Sequence, residues 1–332
     1  MPLFYRLNKS MKISATIVFV SLLLAIVLSA CVPTKNAETH LTGPTMGTTY
    51  NVKFVSNDGI NEKDLKLQIT QVLIDINQLM STYIQDSELS RFNQWQSIEP
   101  FVMSPQTLTV LSEAKRLGEI SDGILDVTIG PLVNLWGFGP QQRPEKIPSD
   151  ATIQSIKQQI GLDKLTVGPA SATKSHPELY VDLSTIAKGY AVDQLAELLV
   201  SYNIENFLVE IGGEMRLSGN KANNESWKIA IEKPESLQRS VQKIISIGNN
   251  AIATSGDYRN YYAQDGVRYS HLINPTTGYP ITHNLVSVTV VHPSSMTADG
   301  LATALNVIGK DKALAIADKY NFAVLLITKE KQ

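Results

Sequence analysis

The sequence predicts an α+β fold, with mixed sheets and flanking helices arranged in one lobe or two. Helical and strand-like patterns come in runs rather than in strict β-α alternation, which argues against a doubly wound parallel sheet. The 332 residues are 43% hydrophobic and 18% charged, ordinary globular usage with chain enough for a substantial core. No internal repeat, heptad array or low-complexity tract interrupts that pattern.

The elements follow in order. Residues 1–30 read as a targeting segment and stand outside the fold. Arg6, Lys9 and Lys12 precede the apolar run "ISATIVFVSLLLAIVLSA", and Cys31, the only cysteine, comes directly after it. "LSAC" resembles a bacterial lipobox, in which cleavage leaves a lipidated Cys. The other reading is a transmembrane anchor, because 18 apolar residues just span a bilayer. With Cys31 carrying lipid, no thiol is left for a disulfide or for thiolate chemistry. Residues 31–41 then form the lipidated Cys and a polar tether, and 42–330 the folded domain.

"TTYNVKFVS" alternates as a strand. Asn61 caps a helix whose Leu65, Ile69, Val72, Ile76 and Leu79 recur at three or four. Ser104-Pro105 opens a second helix that ends near "SDG" at 121–123, with Pro at its tolerated first position. Ser149 begins a short third helix closed by Gly161. "ELYVDLS" reads as a strand running into a helix from about Thr185 to Ser201. Strands then dominate, in "NFLVEI", "WKIAIEKP", "VQKIISI", "AIATSG", "RYSHLIN" and "LVSVTVVH". Helices over 296–308 and 310–319 and a last strand, "FAVLLIT", close the chain.

Composition and missing motifs narrow the function. The net charge is −2, and three cations with no acid fall in the first 31 residues, so the remainder is more acidic still. A nucleic-acid binder would show a basic stripe instead. GxxxxGK[ST], GxGxxG after a strand, HExxH and GxSxG are all absent. Histidines 40, 176, 271, 283 and 292 have no close ligand spacing, which argues against zinc.

Four stretches carry unusual chemistry: "TMGTTY" (45–50), "SDGILDVTIGPLVNLWGFGP" (121–140), "DLSTIAKGYAVD" (182–193) and "SGDYRNYYAQDGVRYSHLINPTTGYP" (255–280). A fifth, "ADGLAT" (298–303), opens a helix with a lone acid, Asp299, and Thr303 four residues on. Residues i and i+4 share a helix face, so carboxylate and hydroxyl can converge on one ion. An acid near a helix start also suits the positive end of the helix dipole, and from these residues alone both readings stand.

"TMGT", "DLSTIAKGYAVD", "TSGDYRNYY", "SHLINPTTGYP" and "ADGLAT" come in the order and spacing of the ApbE-type FAD:protein FMN transferases, bacterial membrane-anchored flavin transferases. The resemblance covers roughly residues 41–330. It implies an ApbE-like α+β fold, with the FAD site between the lobes if there are two. It also implies Mg²⁺-dependent cleavage of the FAD pyrophosphate, transfer of FMN to a Ser or Thr hydroxyl of a target protein, and release of AMP. The acceptors it implies are flavin-carrying subunits of membrane redox complexes, such as Na⁺-pumping NADH:quinone oxidoreductase and Rnf-type complexes. Their Asp-x-x-Ser/Thr-x-Ala-Thr signature is absent here, so the chain is expected to act on another protein. The expected location is the cell membrane, lipid-anchored and facing the periplasm, the inner membrane being favoured by the family.

Residue roles carry over by the same resemblance. Asp299 and Thr303, with main-chain oxygens of Ala302 and Thr185, are the expected Mg²⁺ ligands. Asp182 and Lys188 are expected to contact FAD, Lys188 facing phosphate, although some relatives carry an acid at that position. An N-cap and a solvated lysine are the plain alternatives. His271 is the expected base for the acceptor hydroxyl, since imidazole titrates near neutrality; a lone histidine in a strand is also often structural. Met46, Tyr83, Ile124, Leu125, Asp126 and Ile273 align with flavin-contacting positions, where flat apolar walls suit a ring system. Gly212 and Gly213 would let backbone approach a ligand or simply make a tight turn. Thr254 and Arg259 are second-line candidates near the phosphates. Two other functions share these residues: an FAD pyrophosphatase yielding FMN and AMP, and a flavin-binding lipoprotein without chemistry.

Overall fold

A seven-stranded sheet organises the chain, in the computed structural model that describes residues 37–56, 59–139, 146–234, 240–258 and 260–329. The targeting segment, Cys31 and Arg259 lie outside the described residues. The strands are β1 (Glu38–Thr45), β2 (Thr48–Val55), β6 (Phe207–Ile211), β7 (Glu214–Ser218), β10 (Ala251–Gly256), β13 (Leu285–His292) and β14 (Ala323–Thr328), and they lie side by side in that order. Each pairing within it is antiparallel. Smaller sheets join β3 (Phe101–Val102), β5 (Ser171–Lys174) and β4 (Leu165–Val167), then β8 (Ile229–Glu232) with β9 (Val241–Ile245), and β11 (Tyr261–Gln264) with β12 (Val267–Ser270). The α+β class with flanking helices is as expected, and residues from Glu38 onward form one compact unit in place of the alternative of two lobes.

One face of the large sheet carries the helices. Val52, Phe54, Val209, Ile211, Ala253 and Val288 bury themselves there against α1 (Glu62–Met80), α6 (Ala187–Ser201) and α7 (Ser295–Ile308). Period two on the strands meets period 3.6 on the helices, and together they make the main core. The other helices are α2 (Glu88–Gln94), α3 (Pro105–Ile120), α4 (Gly130–Leu135), α5 (Asp150–Lys157) and α8 (Lys310–Tyr320). The predicted caps are in place: the side chains of Asn61, Ser104 and Ser149 accept from backbone N–H groups of α1, α3 and α5. Among the described residues no helix is long and apolar enough to cross a membrane.

Three expectations need correction. The polar stretch read as a tether through residue 41 already belongs to β1, which starts at Glu38 and pairs with β2 along its whole length. Its inward positions include Thr39 and Thr45, so the usual apolar alternation is hidden. "ELYVDLS" forms no strand and pairs with none among the described residues. Asn93 instead takes both backbone groups of Val181, donating to its carbonyl at 2.8 Å and accepting from its N–H at 2.8 Å. The following helix begins at Ala187, two residues from the expected start near Thr185, and ends at Ser201 as expected. Finally β12 ends at Ser270, which puts His271 in the loop beyond it.

Two hairpin tips define one end of the large sheet. Met46 and Gly47, which join β1 to β2, have φ of 47° and 71°, as a two-residue type I′ turn demands. A methionine in that conformation is unusual, and a non-glycine there is strained by about 1–2 kcal/mol. Gly212 and Gly213 join β6 to β7 with φ of 60° and 112°, so the tight-turn reading of this pair holds.

Candidate functional site

The site lies where α6 and α7 cross beneath the hairpin tips. A Cβ on Gly189 would sit 2.4 Å from the Ser295 carbonyl oxygen and 2.8 Å from Asp299 Cβ. Only glycine lets the two helices approach that closely. In return the Gly189 N–H donates to Asp299 Oδ2 at 3.0 Å. Asp299 is only 5% exposed, and burial pushes its carboxyl up from the ordinary range while Lys188 and the Gly189 N–H pull the other way.

The helix-dipole reading of Asp299 fails on the geometry of α7's first turn. Asp193, on α6, accepts from the N–H of Ser295 at 3.0 Å, from that of Met296 at 3.0 Å and from the Ser294 hydroxyl at 2.7 Å. The Ser294 hydroxyl accepts from the Thr297 N–H at 3.2 Å. The free N–H groups are thus already capped, and Asp299 sits a full turn further in. Its charge answers to something other than its own helix.

Lys188 supplies the matching cation. Its ammonium lies 2.7 Å from Glu214 Oε1. Burial pulls the Lys188 ammonium down, but Asp299, Glu214 and Glu210 outweigh it and hold it above the usual lysine range. Glu214 is 5% exposed; burial, with the Asp299 charge beside it, pushes its carboxyl up to about 7 against the pull of Lys188. Its second oxygen, Oε2, is buried without a hydrogen-bond partner, as is the Thr185 hydroxyl. Sequence reasoning missed Glu214 and Asp193. Glu214 carried a signal, an acid closing the turn in "EIGGE", while Asp193 ended a motif already in hand.

The remaining expected residues divide. Thr303 is half-buried and Ala302 buried on the same face region of α7. A Cβ on Gly300, inside the "ADGLAT" stretch, would meet Leu117 Cδ1 at 2.6 Å, so the smallness of this residue serves the core. Tyr83 and Tyr180 gather near Asp182, whose charge adds to burial in holding both phenols up. Asp182 itself accepts from the Ser184 N–H at 2.9 Å. Tyr83 is 68% exposed, so its ring is free to face a planar ligand.

Ile124 is half-buried, whereas the Leu125 side chain is 2% exposed and belongs to the main core. Asp126 accepts from the Thr128 N–H at 2.8 Å and its hydroxyl at 2.6 Å, fixing the turn. Burial pushes its carboxyl up, against those two hydrogen bonds. Ile273 is 4% exposed and packs with Trp136 and Ile153. The side chains of Leu125 and Ile273 are therefore committed to packing.

His271 is half-buried and edge-on to Phe138, with ring centroids 6.2 Å apart. Its Nδ1 lies 2.9 Å from the Asn260 carbonyl oxygen. A carbonyl only accepts, so Nδ1 carries the proton and Nε2 keeps its lone pair. Burial pulls the imidazole below its ordinary value, outweighing the Asn260 hydrogen bond, so the ring is neutral at pH 7. Thr254 shares a 2.8 Å hydroxyl hydrogen bond with Thr289.

The model of the ApbE family matches residues 46–326. The chain belongs to the ApbE family. It is 56% identical over 293 residues to the FAD:protein FMN transferase of Vibrio cholerae, covering 88% of each chain. It is 47% identical over 316 residues to the Haemophilus influenzae protein of the same name, covering 93% of this chain and 91% of the other. Among solved structures, the flavin transferase ApbE from Vibrio cholerae superposes with a TM-score of 0.84 at 54% identity, over 89% of this chain and 95% of that one. The apo flavinyl transferase ApbE of Pseudomonas stutzeri superposes at 0.82 and 38% identity, over 90% and 93%.

Proposed function

We propose that this chain transfers FMN from FAD to a Ser or Thr hydroxyl of a target protein and releases AMP, with Mg²⁺ bound. The relative named FAD:protein FMN transferase, 56% identical across 88% of both chains, carries this reading. The arrangement at the α6–α7 crossing supplies the physical support.

The donors there suit a hard cation. Mg²⁺ takes oxygen ligands and keeps substrate oxygens or waters among them. Asp299 is a nearly buried carboxylate, and the Thr185 hydroxyl nearby in sequence to Lys188 is buried without a partner. Among the described residues no three His, Cys, Asp or Glu side chains cluster, which fits one carboxylate aided by hydroxyl and carbonyl oxygens. Asp299, Thr303 and the main-chain oxygens of Ala302 and Thr185 would hold the ion. Bound there, it neutralises charge on the pyrophosphate oxygens.

The chain's own residues do the rest. Lys188 adds a fixed positive charge toward the same phosphates. His271 Nε2 accepts the proton of the acceptor hydroxyl as its oxygen bonds to the FMN phosphorus. The bond from that phosphorus to the bridging oxygen breaks, and AMP leaves with the oxygen. Tyr83 and the 124–126 turn frame the FAD rings, with Asp182 at their polar edge.

Incubating the chain with FAD, Mg²⁺ and the flavin-carrying subunit of a Na⁺-pumping NADH:quinone oxidoreductase tests the reading. In-gel flavin fluorescence on the subunit is the expected outcome. FMN in solution alone would make the chain a pyrophosphatase, and unchanged FAD a binding protein. The basic n-region, apolar run and Cys31 support a membrane lipoprotein, and the family favours the inner membrane with the domain facing the periplasm. Loss of membrane association in Cys31→Ala, scored by fractionation, is the expected sign of that anchor.

A further inference from the structure

The large sheet has a second face, away from α6 and α7, and it carries a cavity of about 590 Å³. Strand β10 is part of its floor and strand β8 its wall, with Ile252, Thr254 and Ala230 among the lining residues. Of the residues considered above for FAD, only Thr254 and the Gly212–Gly213 turn line it, and none of the residues expected to hold Mg²⁺ does. Yet it touches the site at two points. Gly212 lines it, and a Cβ there would lie 3.6 Å from Lys188 Cδ. Tyr258 lines it too, two residues before Asn260, whose carbonyl holds the His271 ring.

The sheet itself is incomplete along this cavity. On one side β10 pairs with β13 over its whole length, Ala251–Gly256. On the other side it pairs with β7 only through Ala251 and Ile252, because β7 turns back at Glu214. Residues 253–256 therefore run past the Gly212–Gly213 tip with that edge unpaired by any strand among the described residues. A free strand edge inside a cavity is a template for an added strand.

We propose that this groove seats an extended, hydroxyl-bearing segment of the flavin-acceptor protein, added as a strand along residues 253–256 of β10. The proposal rests on the transferase reading, which requires a second substrate beside the FAD phosphates. The groove meets that need: apart from Thr254 and the Gly212–Gly213 turn it lies outside the residues considered for FAD, and its two ends reach Lys188 and the loop that orients His271. Main-chain pairing along β10 would hold the segment in register, so that one side chain in it points its hydroxyl toward Nε2.

Ala230 and Thr49 both line the groove and both are exposed, so larger side chains there fill it without entering the core. Ala230→Trp and Thr49→Trp are each assayed in the full chain with FAD, Mg²⁺ and the Na⁺-pumping NADH:quinone oxidoreductase subunit as acceptor. The expected result is an acceptor KM raised about tenfold or more, as for an obstructed interface centre, with the FAD dissociation constant unchanged. Hydrogen exchange of the segment spanning 251–258 is expected to slow when the acceptor is added to wild type and not to slow in the variants. Unchanged acceptor KM in both variants, with wild type active, would overturn the groove alone. An equal loss of FAD affinity would overturn it as well, by giving the groove to FAD. No transfer by wild type would remove the transferase reading and this proposal together.

Discussion

The two flanks of the site are built on opposite principles. At the α6–α7 crossing, Glu214 and Asp299 are buried beside a half-buried Lys188, with Gly189 removing any slack between the helices. Around Tyr83 and Asp182 the side chains stay open to half-open, with Asp182 held by the Ser184 N–H. Buried charges in a dry setting act strongly on one another and on any phosphate that enters, and they need no reorganisation when it arrives. A ring-binding wall needs only a flat surface and access. Damage to the first flank is therefore expected to abolish chemistry, and damage to the second to weaken binding.

Asp299→Ala tests the first flank hardest. It removes the carboxylate expected to anchor Mg²⁺, and kcat/KM is expected to fall on the order of 10³-fold, as when a preorganised electrostatic contact is lost. Calorimetric titration with Mg²⁺ and FAD should show the metal response lost while the variant stays folded. Full activity in Asp299→Ala would sink the metal assignment and return this acid to a structural role.

His271→Ala comes next, with an expected loss of about 10²-fold in transfer, typical of a positioned base. The sign of its pH dependence follows from its surroundings. A base must be unprotonated, and burial holds this imidazole below the ordinary value. Transfer by wild type should thus persist somewhat below pH 6.5 before falling as the ring gains its proton. FMN transfer measured from pH 5 to 8 checks this; an acid limb centred above 6.5 would contradict it.

Glu214→Gln probes the charge packing itself. In the folded chain this carboxyl is pushed up to about 7, against about 4.5 unfolded. Between those values the native state holds more protons than the unfolded one, so this group's contribution to stability falls as pH rises through that window. Gln removes the titration, and urea melts of the variant between pH 4.5 and 7 should show a flatter profile than wild type. Transfer should fall about tenfold, because the amide keeps an oxygen acceptor but removes the charge that strengthens the contact with Lys188; Glu214→Asp should recover part of it.

Much of this was legible in the amino-acid order. Asn61, Ser104 and Ser149 announce their helices because a capping side chain acts within three residues of itself. Asp299 stood out as the lone acid of an apolar helix, and its meaning came from the company of other motifs. What stayed hidden depends on long-range partners. The segment around Val181 reads as a strand, yet its backbone is satisfied by Asn93, 88 residues earlier. Gly300 lies beside Asp299 in the sequence, yet its small size answers to Leu117, more than 180 residues earlier. Glu214 joins the site because a two-glycine turn folds it back under Lys188, a pairing that no local spacing reports.

Tyr83→Ala completes the comparison on the open side. The ring is 68% exposed, so truncation leaves no cavity in the core and the fold should hold. Burial and the neighbouring Asp182 keep the phenol protonated, so the side chain contributes a flat neutral surface rather than a charge. A lost ring contact of about 0.5–1.5 kcal/mol corresponds to a rise of roughly two- to twelvefold in the KM for FAD. The value of kcat should stay close to wild type, since no proton or phosphate depends on this ring. Tyr83→Phe keeps the flat surface and should bind FAD as wild type does. A fall in kcat for Tyr83→Phe would show that the open flank takes part in the chemistry, and the division between the two flanks would collapse.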